Sequence, residues 1–78
     1  MTPEEKRISV RTDMIRYGIG YEWLVSQLDK WEKNHTDAST LCLAITGKRK
    51  SERYQELVEL CDRVLTRYGQ MYGDVKPA

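Results

Sequence analysis

The amino-acid sequence predicts an all-α domain of four helices joined by short connections, and three observations carry that prediction. Apolar residues recur at intervals of three and four along most of the chain. Strand signals are scarce: no segment sustains alternation, no Asn-Gly hairpin turn occurs, and phenylalanine is missing. Residues suited to starting helices (Thr2, Asp37, Ser51) and glycines suited to ending them (Gly18, Gly47, Gly69) punctuate the periodic runs. With 78 residues, the chain is expected to be a single domain spanning 1–78, near the size at which one core suffices. No repeat or internal boundary divides it.

The first helix opens at Thr2-Pro3-Glu4-Glu5. Thr2 can cap, Pro3 brings the φ of a first turn, and the two acids suit the positive end of the helix dipole. This helix is expected to reach about Tyr17 and stop at Gly18, with Ile8, the stem of Arg11, Met14 and Ile15 available to the core. The second begins near Tyr21, where Tyr21, Leu24, Val25 and Leu28 form an amphipathic stripe that Trp31 extends to about Lys33. Asn34-His35-Thr36 reads as a polar connector. Asp37, or Thr36, caps a short third helix whose inward residues are Leu41, Ala44 and Ile45 and which ends near Thr46 at Gly47. The fourth starts at Ser51 and is expected over Glu52 to Tyr68. Its apolar positions, Tyr54, Leu57, Val58, Cys61, Val64, Leu65 and Tyr68, are the most regular in the chain. Residues from about 69 to 78 read as a flexible tail.

Composition narrows the function classes. The net charge is +1, so any attraction to nucleic acid must come from a local concentration of cations. Cys42 and Cys61 lack CxxC spacing and histidine partners. They read as reduced core residues, no metal or cofactor is expected, and the setting is expected to be cytoplasmic. No apolar run approaches the roughly 20 residues of a membrane span, and no signal-peptide segment opens the chain. Enzymatic chemistry is not expected. The one histidine, His35, stands in the connector with no nucleophile placed beside it by spacing, and the carboxylates fall beside Lys and Arg as solvated helix pairs.

The third helix and the basic segment after it form the candidate site. Lys48, Arg49, Lys50 and Arg53 lie within six residues, with Glu52 the only acid among them. The short side chains of Ala38, Ser39 and Thr40 on the leading turn would allow close approach to base edges, while the cations after Gly47 meet phosphate. A solvated basic loop between two ordinary helices accounts for the same charges.

The order of residues favours the first of these readings. Tyr17-Gly18-Ile19-Gly20-Tyr21-Glu22-Trp23-Leu24-Val25, followed by Ser39-Thr40-Leu41-Cys42-Leu43-Ala44-Ile45-Thr46-Gly47-Lys48-Arg49, resembles the lambda-repressor/Cro-like helix-turn-helix family over about residues 8–66. The second half carries most of the likeness. The resemblance implies a compact helix-turn-helix domain in which residues 38–46 are the recognition helix. It places Tyr21 where members set a phosphate-contacting Gln, and Ser39 as a hydrogen-bonding contact to base or phosphate. Leu43 occupies an outward position that in the family often reads bases, suited here to a thymine methyl or a protein contact. Thr46 matches a backbone-contacting position.

One departure is large. Asp29 to Asp37, nine residues, stand where such motifs use roughly three. Extending the first motif helix through Trp31 and turning at Asn34-His35-Thr36 accommodates them. Trp23 and Trp31 are expected in the core, and either one exposed would mark a partner surface.

The resemblance thus implies a small sequence-specific transcriptional regulator of phage or mobile-element type, binding operator DNA as a homodimer. Helix four with Tyr68, Met71 and Tyr72 offers the dimer surface, unless those residues cover the monomer core. The alternative is a protein-interaction module on the same helices, such as an antirepressor or a phage inhibitor of a host protein. Leu43, the near-neutral charge and the enlarged turn favour it.

Overall fold

A computed structural model describes residues 2–72. Four helices occur in order: α1 (Pro3–Tyr17), α2 (Tyr21–Glu32), α3 (Ala38–Ile45) and α4 (Glu52–Tyr72). No strand occurs among the described residues. Helix α4 is the spine, packing against α1, α2 and α3, while α3 also touches α1 and α2. The core joins Val10 and Met14 of α1, Leu24 and Leu28 of α2, and Leu41, Ala44 and Ile45 of α3. Leu57, Val58, Cys61, Val64 and Leu65 of α4 complete it.

Local chemistry explains where most helices start and stop. Thr2 and Glu5 form a capping box: the Thr2 hydroxyl accepts from the Glu5 amide at 3.1 Å, and the Thr2 amide donates to Glu5 Oε1 at 3.0 Å. Gly18 takes the left-handed conformation, and the Gly18 and Ile19 amides donate to Ile15 and Met14 carbonyls. Helix α2 ends the same way without a glycine. Lys33 adopts φ 53°, and the Asn34 amide returns to the Leu28 carbonyl at 3.1 Å. The nine residues Asp29–Asp37 therefore divide, four completing α2 and Lys33–Asp37 forming the connector. His35 is exposed, and its Nδ1 lies 2.7 Å from Asp29 Oδ1, tying the connector back to α2.

Three expectations are corrected. On α1 the inward residues are Val10 and Met14, whereas Ile8 and Ile15 are 52% and 77% exposed and Arg11 is exposed as well. At 100° per residue, Ile8 and Ile15 lie roughly 140–160° from Val10 around the helix, so both project away from α4. Trp31 is not a core residue: it stands 45% exposed on the last turn of α2, its Nε1 donating to Gln27 Oε1 at 2.7 Å. Trp23 is half-buried. Cys61 is buried, which pushes its thiol pKa up to about 12, but Cys42 is only half-buried.

Helix α4 also runs four residues beyond Tyr68, through Gly69. Gly69 is a packing residue, since a Cβ there would stand 2.9 Å from the Tyr17 hydroxyl. Tyr17 in turn lies against Tyr68 at 4.9 Å between ring centroids, and Trp23 meets Tyr68 edge-on at 5.4 Å. Tyr68 is thus half-buried among aromatic neighbours, and Met71 is 62% exposed. The Tyr72 side chain and residues 73–78 of the expected tail lie outside the described residues.

The close approach at Gly69 has a measurable consequence. Alanine in a helix interior is favoured over glycine by about 1 kcal/mol, but at Gly69 the Tyr17 hydroxyl opposes the added methyl. Gly69→Ala is expected to gain about 1 kcal/mol in a Tyr17→Phe background and distinctly less in the wild type. Urea denaturation of the four proteins of this cycle measures the difference. Equal gains in both backgrounds would mean that Tyr17 does not restrain the site.

Candidate nucleic-acid interface

Helix α3 is short, apolar on its inner side and built mainly of small or polar residues on its outer one. Leu41, Ala44 and Ile45 bury that inner side, which orients the remaining residues outward. Ser39 is exposed, and Ala38, Thr40, Leu43 and Thr46 are half-buried. Asp37 sets the N-terminus, its Oδ1 accepting from the Thr40 amide at 2.7 Å. That backbone hydrogen bond, reinforced by the Thr40 hydroxyl, holds the Asp37 carboxyl below its ordinary pKa.

The sign of this shift fixes its pH dependence. A depressed folded pKa contributes stability that is complete above the ordinary carboxylate pKa and is lost as pH falls through the folded value. Asp37→Asn is therefore expected to flatten the acid limb of the thermal stability profile below about pH 4. Parallel acid limbs in circular-dichroism melts of the two proteins would contradict the capping role.

The C-terminal end of α3 is held more elaborately. Thr46 keeps helical geometry, and its hydroxyl donates to the Cys42 carbonyl at 2.7 Å. Gly47 turns the chain at φ 81°, after which the Lys48 and Arg49 amides both reach the Leu43 carbonyl, at 3.1 and 3.2 Å. The Ile45 carbonyl accepts from Arg7 Nη1 of α1 at 2.9 Å. Arg7 also pairs with Glu4, whose side-chain hydrogen bond raises the guanidinium pKa. A Cβ at Gly47 would lie 3.0 Å from Arg7 Nε and 3.1 Å from its Cζ, so any side chain there displaces the arginine, and the positive φ itself favours glycine.

This turn delivers four cations to the surface. Lys48, Arg49, Lys50 and Arg53 are all exposed, and none forms an ion pair with a described carboxylate. The loop backbone beneath them is fixed: Gln55 Nε2 donates to the Lys50 carbonyl at 2.9 Å, and the Tyr54 and Gln55 amides donate to Ser51. Arg53 also lies over the Tyr54 ring, 5.9 Å from its centroid. The scaffold is ordered while the charged ends face solvent.

Tyr21 is placed differently from a free surface phenol. It is half-buried at the start of α2, with burial first and the Cys42 thiol of α3 second in raising its pKa. Gly20 caps α2 without a side-chain hydrogen bond, so the first amides of that helix have no side-chain acceptor.

The structure thus brings together Ala38, Ser39, Thr40 and Leu43 on one helix, Thr46 as its C-cap, and Lys48, Arg49, Lys50 and Arg53 in the adjoining turn and the first turn of α4. Arg7 was not among the expected site residues. Only its i,i+3 spacing from Glu4 was visible, and nothing local shows that a residue 38 positions away needs its guanidinium.

Among the described residues no group of His, Cys, Asp and Glu side chains is placed to hold a metal ion, and no helix is long and apolar enough to cross a membrane. No family model, curated protein or solved structure gives a significant match to the chain.

Proposed function

We propose that this chain binds duplex DNA through α3, as a small sequence-selective transcriptional regulator of the phage or mobile-element kind. The observation that carries the reading is the run of four exposed cations, none within ion-pair distance of a described carboxylate, on an ordered turn directly after a capped surface helix. An α-helix is about 10–12 Å across with its side chains, which fits a major groove about 12 Å wide, and the eight residues of α3 extend roughly 12 Å along their axis. Ser39 supplies a hydrogen bond to a base edge or phosphate, and Leu43 an apolar contact suited to a thymine methyl. Lys48, Arg49, Lys50 and Arg53 supply the salt-sensitive hold on phosphate. Thr46 and Tyr21 are secondary contacts, because Thr46 already donates within α3 and Tyr21 faces Cys42.

Two copies on a palindromic operator are the natural assembly for such a reader. Regulation is by occupancy of the operator, with no covalent chemistry. Selection from a random duplex library is the decisive experiment. An enriched palindrome, bound with a steep inverse dependence on salt, is the expected result. A library that returns no enriched sequence, with no retention of duplex even at low salt, would remove the DNA reading.

A second reading, a protein-interaction module, is favoured by one observation. Trp31 and Met71 lie exposed on a side of the molecule that takes no part in the α3 surface.

A further inference from the structure

Between α2 and the C-terminal half of α4 runs a groove of about 470 Å³. Trp23, Trp31, Tyr68 and Met71 provide its apolar surface, and Lys30 and Arg67 flank them. No carboxylate lines it. The Trp31 ring is steadied by its hydrogen bond to Gln27, with Lys30 Nζ 5.4 Å and the Arg67 guanidinium 5.0 Å from the ring centroid. Lys6, Arg7, Arg16 and Arg63 each have a carboxylate partner, but Lys30 and Arg67 have none among the described residues.

We infer that this groove docks an acidic partner protein, through a segment that sets apolar side chains against Trp31 and Met71 and carboxylates against Lys30 and Arg67. Exposed aromatic and methionine side chains supply the apolar contact such interfaces are built on, and the two cations without a carboxylate partner among the described residues select the charge of what fits. A second copy is the poorer occupant. A second copy of the same groove would bring two more cations and no carboxylate to answer Lys30 and Arg67.

The groove is remote from the four-cation turn. Arg67 follows Arg53 by fourteen positions on α4, about 21 Å along the helix axis. The inference therefore goes beyond DNA binding and does not rest on it, and a Lys48→Ala/Arg49→Ala variant is expected to bind the acidic partner unchanged.

The test uses the full chain, isotope-labelled for NMR, and two synthetic amphipathic helical peptides with the same leucine spacing. One carries glutamates beside the leucines and the other carries lysines. The glutamate peptide is expected to bind, shifting the Trp31 indole signal and amides of 64–71 while leaving 38–53 in place. Lys30→Glu/Arg67→Glu should weaken that binding by about tenfold or more and transfer preference to the lysine peptide. Trp31→Ala, at an exposed position that leaves the core intact, should weaken the glutamate peptide as well.

Failure of the glutamate peptide to bind, or equal binding of both peptides, overturns the inference. So does competition by a short oligothymidylate for the same signals. Concentration-dependent shifts of these residues without peptide would identify a second copy as the occupant. Signals from 73–78 that move in Trp31→Ala would identify the chain's own end. Either result overturns it.

Discussion

Replacing Lys48 and Arg49 together by alanine is expected to lower affinity for duplex DNA roughly 30-fold at 0.15 M salt and to reduce the salt slope by about 1.8. Both magnitudes come from counterion release. Each phosphate neutralised contributes about 0.9 to the slope of log K against log salt, so two lost contacts remove about 1.5 decades at 0.15 M if binding at 1 M is unchanged. The fold should not suffer. Both side chains are exposed and neither forms an ion pair, and the hydrogen bonds that hold this turn come from the Lys48 and Arg49 backbone amides, which alanine keeps. A salt series of mobility shifts with the two proteins measures both quantities, and unchanged affinity with an unchanged slope would show that the turn does not meet phosphate.

Gly47→Ala is expected to destabilise the domain by about 1–5 kcal/mol, a sizeable part of the roughly 4–12 kcal/mol that holds a chain of this size. Two separable effects combine. A residue with a Cβ held at φ 81° costs about 1–2 kcal/mol. The new methyl would also press on Arg7 at Nε and Cζ, and displacing that side chain weakens its hydrogen bond to the Ile45 carbonyl, at a further cost of at most about 3 kcal/mol. An Arg7→Ala background separates them. There, Gly47→Ala should cost only the backbone strain of about 1–2 kcal/mol. Chemical denaturation of wild type, both single variants and the double variant gives the coupling directly, and strict additivity would rule out Arg7 as the restraint on this turn.

How much was legible in sequence differs from helix to helix, and the reason is physical. Helix α4 has a regular inner stripe, so Leu57, Val58, Cys61, Val64 and Leu65 were identifiable as core from spacing alone. The same holds for Leu41, Ala44 and Ile45, because Asp37 and Gly47 bracket their helix with local signals. Helix α1 carries apolar residues on both sides, and periodicity cannot choose between Val10 with Met14 and Ile8 with Ile15. Packing against α4 makes that choice. Gly69 resembles a helix stop in sequence, but the Tyr17 hydroxyl, 52 residues earlier, is what requires a small residue there. Lys33 was similarly hidden, since a lysine carries no local sign of a left-handed residue.

The candidate site divides along the same line. The outward residues of α3 and the cations after it are set by helix phase and by the turn at Gly47, both encoded nearby. Arg7 at the end of α3 and Cys42 beside Tyr21 are tertiary contacts, which no spacing rule reports. Trp31 extends the α2 stripe by one turn, yet its neighbours there are Gln27, Lys30 and Arg67 and no core residue follows it inward. Only the assembled helices reveal its exposure.

The placement of the two tryptophans has an optical consequence. Both belong to α2 and look onto the C-terminal half of α4, Trp23 against Tyr68 and Trp31 beneath Arg67. The four-cation end holds Tyr54 and no indole. Light absorbed at the red edge of the aromatic band therefore excites one flank of the molecule only. Emission from that flank changes when something covers Trp31 and stays dark to events at α3, so the chain carries an intrinsic reporter for one of its two surfaces and is blind at the other.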